Sequence, residues 1–222
     1  MKKILKLSLI ILLIILLAFV ITGCGKDENT NQSQEDNGKS KTYNLFTKVF
    51  SGENYIVSLE GETDMGEGIE KMTATMAIKG DNLYADVDST SQHASIICKD
   101  NKTYIIMHDE KMYMIMDGKD EETFEEMTLI STEDLKEMEN KEYKTGKETI
   151  DGTEYEYEEY ENEEDKTTER YYFLGNDLKY IKSIDGDRKE EIMRVIKISS
   201  EVDDNIFNIP EDYQGINTSD LQ

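Results

Sequence analysis

A mainly β fold of the α+β class, with about eleven antiparallel strands and two helices, follows from three features of this 222-residue chain. Apolar residues recur with a period of two through most of its length. Short polar turns separate those runs. Two brief stretches switch to the helical period.

The chain opens on Met1-Lys2-Lys3, followed by an apolar run from Ile4 to Ile21 and then Thr22-Gly23-Cys24. A basic start, an apolar stretch and a small residue before the cut are the parts of a secretory signal peptide. The same run, about 18 residues, is also just long enough to span a bilayer. The thiol at its end, directly after glycine, favours cleavage before Cys24 over a retained anchor. Ile21-Thr22-Gly23-Cys24 resembles the lipobox of bacterial lipoproteins. That resemblance implies a diacylglyceryl group on the Cys24 sulfur, with fatty acids such as palmitate, and a lipid-anchored protein on the extracytoplasmic side of the cell membrane. Two chains hold firmly where one does not, since burial contributes ~0.8 kcal/mol per CH₂.

On this reading residues 1–23 are removed and residues 24–41 are the lipidated cysteine and a disordered tether. Residues 42–216 form the folded domain and 217–222 a disordered tail. The segment from Gly25 to Lys41 has no aliphatic or aromatic side chain and nothing to bury. A flexible chain of that length reaches roughly 20–25 Å.

From Thr42 to Ser51, Phe46, Val49 and Phe50 lie at i, i+3 and i+4, with Tyr43 a turn earlier, which predicts a short amphipathic helix. Period two then takes over in Tyr55-Val57-Leu59, Met72-Ala74-Met76-Ile78 and Leu83-Ala85-Val87. A turn at Gly80-Asp81 pairs Ile78 with Leu83, Met76 with Ala85 and Ala74 with Val87, all on one face. Asp100-Asn101 pairs Cys98 with Thr103 and Ile96 with Ile105. Asp109-Glu110, a poorer turn, pairs Met107 with Met112 and Ile105 with Met114. Ser131-Thr132-Glu133-Asp134 starts a second helix running to about Asn140, with Leu135 and Met138 inward and a turn at Phe124 and Met127 before it. Strands resume over 142–150, 153–160, 168–174, 178–184 and 190–199, with an acidic loop at 161–165.

The chain closes on Val202-Asp203-Asp204-Asn205-Ile206-Phe207-Asn208-Ile209-Pro210-Glu211-Asp212-Tyr213. A last strand, an acidic dipeptide, Phe, Ile-Pro and Tyr resemble the end of the periplasmic outer-membrane lipoprotein carrier fold, whose relatives include LppX-type lipoproteins. Tyr171-Tyr172-Phe173-Leu174 with Leu178-Lys179-Tyr180-Ile181 resembles its penultimate strand pair. The resemblance implies a strongly bent antiparallel sheet, an incomplete barrel, with helices packed on the concave side and a cavity for acyl chains. The carrier itself is soluble, so a chain with its own anchor departs from it, and cargo transfer is not implied.

The candidate ligand wall is Met72, Met76, Cys98, Ile105, Met107, Met112, Met114 and Met116, with Ile96 and Thr103 on the same face. Methionine makes adaptable apolar surfaces, although a buried apolar face serves equally as plain core. Thioethers with the Cys98 thiol also suit Cu(I), but His108 falls on the opposite face in this register. No metal set is assigned. Asp185-Gly186-Asp187 and Asp117-Gly118-Lys119-Asp120 lack the ligand count of a calcium loop and read as turns. Only His93 and His108 are histidines, and no HExxH, GxSxG or phosphate-binding glycine motif occurs. Cys98 and His93 are the residue types of a catalytic dyad, but a buried thiol on an apolar face is inert. With no complete nucleophile–base–orienter set, the expectation is a binding protein without catalytic residues or cofactor.

Removing residues 1–23 takes away three lysines and no acids, leaving 22 basic against 49 acidic residues. A chain so acidic is repelled by nucleic acid and by anionic headgroups. Its expected partners are the membrane through the N-terminal lipid and a lipid or other hydrophobic ligand. The alternative is a sensor or scaffold contacting a protein partner through its acidic face, with no cavity. Cys24 and Cys98 are the only cysteines, so lipidation leaves no intrachain disulfide.

Overall fold

The computed structural model describes residues 39–64, 69–118, 132–162, 166–186 and 189–217. The expectations placed on the signal segment, Cys24, the tether to residue 38, the turn at Phe124 and Met127, the Ser131 cap and residues 218–222 lie outside them.

Along the chain run α1 (Lys41–Phe50), β1 (Asn54–Asp64), β2 (Ile69–Lys79), β3 (Asn82–Ser89), β4 (His93–Lys99), β5 (Lys102–Met107) and β6 (Met112–Asp117). There follow α2 (Thr132–Glu139), β7 (Lys144–Ile150), β8 (Thr153–Asn162), β9 (Thr167–Leu174), β10 (Asp177–Ile184), β11 (Glu190–Ser199), a 3-10 turn (Asp204–Phe207) and β12 (Gln214–Asn217). The fold class is the predicted one, mainly β with antiparallel strands and helices. Among the described residues no helix is long and apolar enough to cross a membrane.

The chain divides into two compact units. In the first, which holds described residues 52–118 and 197–217, the strand order is β12-β6-β5-β4-β3-β2-β1. Every neighbouring pair is antiparallel except β12 with β6, which is parallel. The predicted registers hold: Ile78 opposes Leu83, Met76 opposes Ala85, Cys98 opposes Thr103 and Met107 opposes Met112. Asp100 and Asn101 both take positive φ, 52° and 56°, as the tight two-residue hairpin requires. The weaker turn closes as a four-residue loop, with Lys111 at φ 52° and its N–H on the His108 carbonyl.

One face of this unit carries the core of Ile56, Ala77, Ile97, Ile106 and Phe207. Val202, Ile206, Ile209 and Tyr213 of the C-terminal segment pack on it. Two lysines pin that segment. Lys99 Nζ donates to the Phe207 carbonyl (2.7 Å), and Lys79 Nζ to the Val202 carbonyl (3.3 Å) while pairing with Asp204. The segment then continues as β12, which the sequence reading missed. Gly215 opposes Tyr113 there, and a Cβ on it would meet the Tyr113 ring at 2.7 Å, so β12 lies flat only with glycine at that position.

In the second unit, described residues 39–51 and 132–196, the order is β11-β10-β9-β8-β7, antiparallel throughout its pairs. The polar segment before α1 supplies its cap. Ser40 Oγ accepts from the Tyr43 N–H, and buried Glu158 on β8 accepts from the N–H groups of Lys41 and Thr42 (2.7 and 2.8 Å) and from the Thr42 hydroxyl. Ser40 and Lys41 therefore belong to the same folded unit as α1, because a carboxylate at a helix start satisfies otherwise orphaned donors. Phe46 meets Tyr171 edge to face (5.4 Å), and α1 touches α2, whose Leu135 and Met138 are buried as predicted.

Candidate functional site

The alternation of β2 through β6 places all eight candidate wall residues on one face of the first unit, opposite the face that receives the C-terminal segment. They do not form one cluster. Met72 and Met76 lie on β2, four strands from β6, a span of roughly 19 Å at the usual interstrand spacing. Ile105, Met107, Met112, Met114 and Met116 are cross-strand neighbours on β5 and β6. The face closes and opens in the same direction. Met72, Met76, Cys98 and Ile105 are buried, Met107, Met112 and Met114 are half-buried, and Met116 is 38% exposed.

A compact copper site is not what this geometry offers. Cys98 lies in the row of Met116 and Thr103, two rows along the strands from Met107 and Met112, and its Sγ sits 3.7 Å from Thr103 Oγ1. The Cys98–His93 dyad does not form either. Positions whose numbers differ by an odd amount point to opposite faces of a strand, so β4 turns His93 away from the Cys98 thiol.

His93 instead joins a polar cluster on the other face that sequence reasoning missed. Asp86 on β3 and His93 are diagonal neighbours across the β3–β4 pair, and His93 Nε2 lies 3.0 Å from Asp86 Oδ1. His108, just past β5, donates its backbone N–H to the His93 carbonyl (3.1 Å), which stacks the two imidazoles with centroids 3.9 Å apart and planes 18° from parallel. His108 Nε2 lies 3.8 Å from Asp86 Oδ1 and 2.8 Å from the buried Ser95 Oγ. Its Nδ1 is 3.0 Å from Tyr213 Oη, at the foot of β12. Burial pushes the Asp86 carboxyl up against the pull of both histidines, while burial and the neighbouring His93 push His108 down. Asp86, His93 and His108 are the three-residue group, among the described residues, whose ligand atoms all lie within 4.8 Å of one another.

No family model matches the chain, and no curated protein matches it. Solved structures similar to it include an uncharacterized conserved protein from Thermus thermophilus, 9% identical, covering 80% of this chain and 99% of that one with a TM-score of 0.44. A LolA superfamily protein from Nitrosomonas europaea is 12% identical, covering 74% and 94%, with a TM-score of 0.32. A domain described as an outer-membrane lipoprotein-sorting protein from Vibrio parahaemolyticus is 9% identical, covering 76% and 94%, with a TM-score of 0.31. At these scores no residue's role passes from those proteins to this chain.

Proposed function

We propose that this chain is a lipid-anchored protein on the extracytoplasmic side of the membrane that binds an acyl chain or similar apolar ligand non-covalently along the methionine row of β5 and β6. One observation carries the reading. The face is buried over β2 to β4 and half-open where Met107, Met112, Met114 and Met116 line it. Unbranched thioethers re-pack around a flexible chain at little cost, and an open methionine row gives up water-exposed apolar area when covered.

The anchor and the ligand are tested separately. Cys24→Ala abolishes metabolic labelling by a fatty-acid analogue and releases the protein from the membrane; continued labelling removes the anchor from the proposal. For the ligand, a fluorescent fatty-acid probe is titrated against the detergent-exchanged chain. Met114→Trp fills the open row, reduces probe binding and leaves stability nearly unchanged. In a closed core the same change overpacks and destabilises by about 1–3 kcal/mol. No probe binding to the wild type together with a destabilised Trp variant leaves the second reading, a sensor or scaffold that meets a protein partner through its acidic surface. The excess of acids behind that reading is real, 49 against 25 basic residues, but solubility explains it equally well.

A further inference from the structure

We infer that Asp86, His93 and His108 bind a divalent transition-metal cation of the zinc type, held by one carboxylate and two imidazoles on the face opposite the methionine row. Ligands around a tetrahedral ion at ~2.0–2.2 Å are separated by about 3.3–3.5 Å. The Asp86 Oδ1 distances to His93 Nε2 and His108 Nε2, 3.0 and 3.8 Å, bracket that edge length, and all three ligand atoms lie within 4.8 Å of one another. A rotation of the stacked rings that aims both in-plane lone pairs at a common point brings the atoms onto one ion. Two histidines and one carboxylate are a known zinc donor set and leave one coordination position for water.

The surroundings prepare the set. Tyr213 Oη lies 3.5 Å from the His108 carbonyl, to which it donates, and so accepts from His108 Nδ1–H at 3.0 Å. That assignment leaves His108 Nε2 without a proton, its lone pair able to take a cation, the arrangement in which an outer partner orients a metal-binding imidazole. Ser95 Oγ, 2.8 Å from Nε2, donates to the same lone pair and turns aside for a cation. Asp88 and Asp109 add negative potential at His108, and Asp109 Oδ2 also accepts from the His93 backbone N–H (3.2 Å). Asp86 is only 9% exposed, and a buried carboxylate gains most from a cation held against it.

The chain has two histidines, which makes the test direct. The full chain, in detergent and stripped with chelator, is titrated with Zn²⁺ while both imidazole side chains are followed by ¹⁵N NMR, with Co²⁺ absorption as a second readout. Expected are perturbation of both imidazoles together, saturating at one equivalent, and the visible bands of four-coordinate Co²⁺. His93→Gln and Asp86→Asn each weaken Zn²⁺ binding at least tenfold. Tyr213→Phe, a change at a positioning residue, weakens it roughly 10-fold with stoichiometry kept, the usual scale for losing an outer-shell partner. Zn²⁺ uptake that leaves either imidazole unperturbed, or no saturation at one equivalent, overturns the site and assigns any binding to scattered surface carboxylates. If a variant unfolds, the wild-type NMR and Co²⁺ spectra still decide.

Discussion

The two units reach order by different means from similar strand patterns. In the first, β2 to β5 oppose apolar side chains on one face, Met76 with Ala85 and Ile96 with Ile105, and bury them with few polar partners. In the second, even buried positions are polar. Glu158, Glu169 and Lys182 are all below a tenth exposed; Tyr160 and Tyr171 pack beside the two carboxylates on one face, and Tyr172 beside Lys182 on the other. There Glu148 accepts from Lys182 Nζ (2.7 Å), Arg170 Nη1 (3.1 Å) and Tyr172 Oη (2.7 Å). Burial works against the Glu148 charge, but the Lys182 and Tyr172 bonds outweigh it and hold its carboxyl below the ordinary range. The lesson concerns adaptability. Directional bonds fix the second unit in one geometry, whereas methionine packing leaves the first free to re-pack, and re-packing is what an apolar ligand needs.

The largest expected difference comes from removing a directional partner. Glu158→Ala strips the acceptor from two backbone N–H groups and the Thr42 hydroxyl, and destabilises the protein by about 3 kcal/mol in urea unfolding. A loss below about 1 kcal/mol would mean that solvent replaces the carboxylate and that the second unit is no more directional than the first.

Glu169 sharpens the same contrast through pH. Burial raises its carboxyl from the usual 4.5 to about 7, against the pull of the Tyr171 hydroxyl at 2.6 Å. Below pH 4.5 it is protonated in folded and unfolded chains alike. Between pH 4.5 and 7 the unfolded chain releases the proton first, so stability falls as pH rises, by about 3 kcal/mol across the window. Glu169→Gln keeps an acceptor for Tyr171 and flattens that part of the pH–stability profile. An unchanged slope in the variant would place the titrating group elsewhere.

Met114→Leu measures the adaptable side, and costs less than ~1.5 kcal/mol because volume is conserved. A larger loss would show that the methionine row is specifically packed and would weaken the contrast. The smallest expected effect is Gly215→Ala, about 1 kcal/mol, as the new Cβ pushes the Tyr113 ring and loosens the terminal strand β12. Hydrogen exchange at the amides of β6 and β12 reads it locally; unaltered protection would show that the ring yields freely.

The strands, the registers of three hairpins and the shared face of Met72, Met76, Cys98, Ile105, Met107, Met112, Met114 and Met116 were legible in the residues. Period and turn chemistry act between near neighbours, so once Gly80-Asp81 or Asp100-Asn101 sets a turn, every pair beyond it follows. The helix at Phe46 and Phe50 was legible for the same local reason. β12 was not, because Gln214-Gly215-Ile216-Asn217 has no strand pattern of its own and becomes a strand by adding to the open edge of β6. The Asp86–His93–His108 cluster was equally hidden. Its members are joined by a diagonal across β3 and β4, a loop after β5 and a tyrosine returned from the C-terminal segment, and no sequence spacing carries those relations. Local chemistry therefore determined which faces exist, and the return of the chain end across one of them decided which polar groups meet there, because only a long-range contact can set Tyr213 against His108.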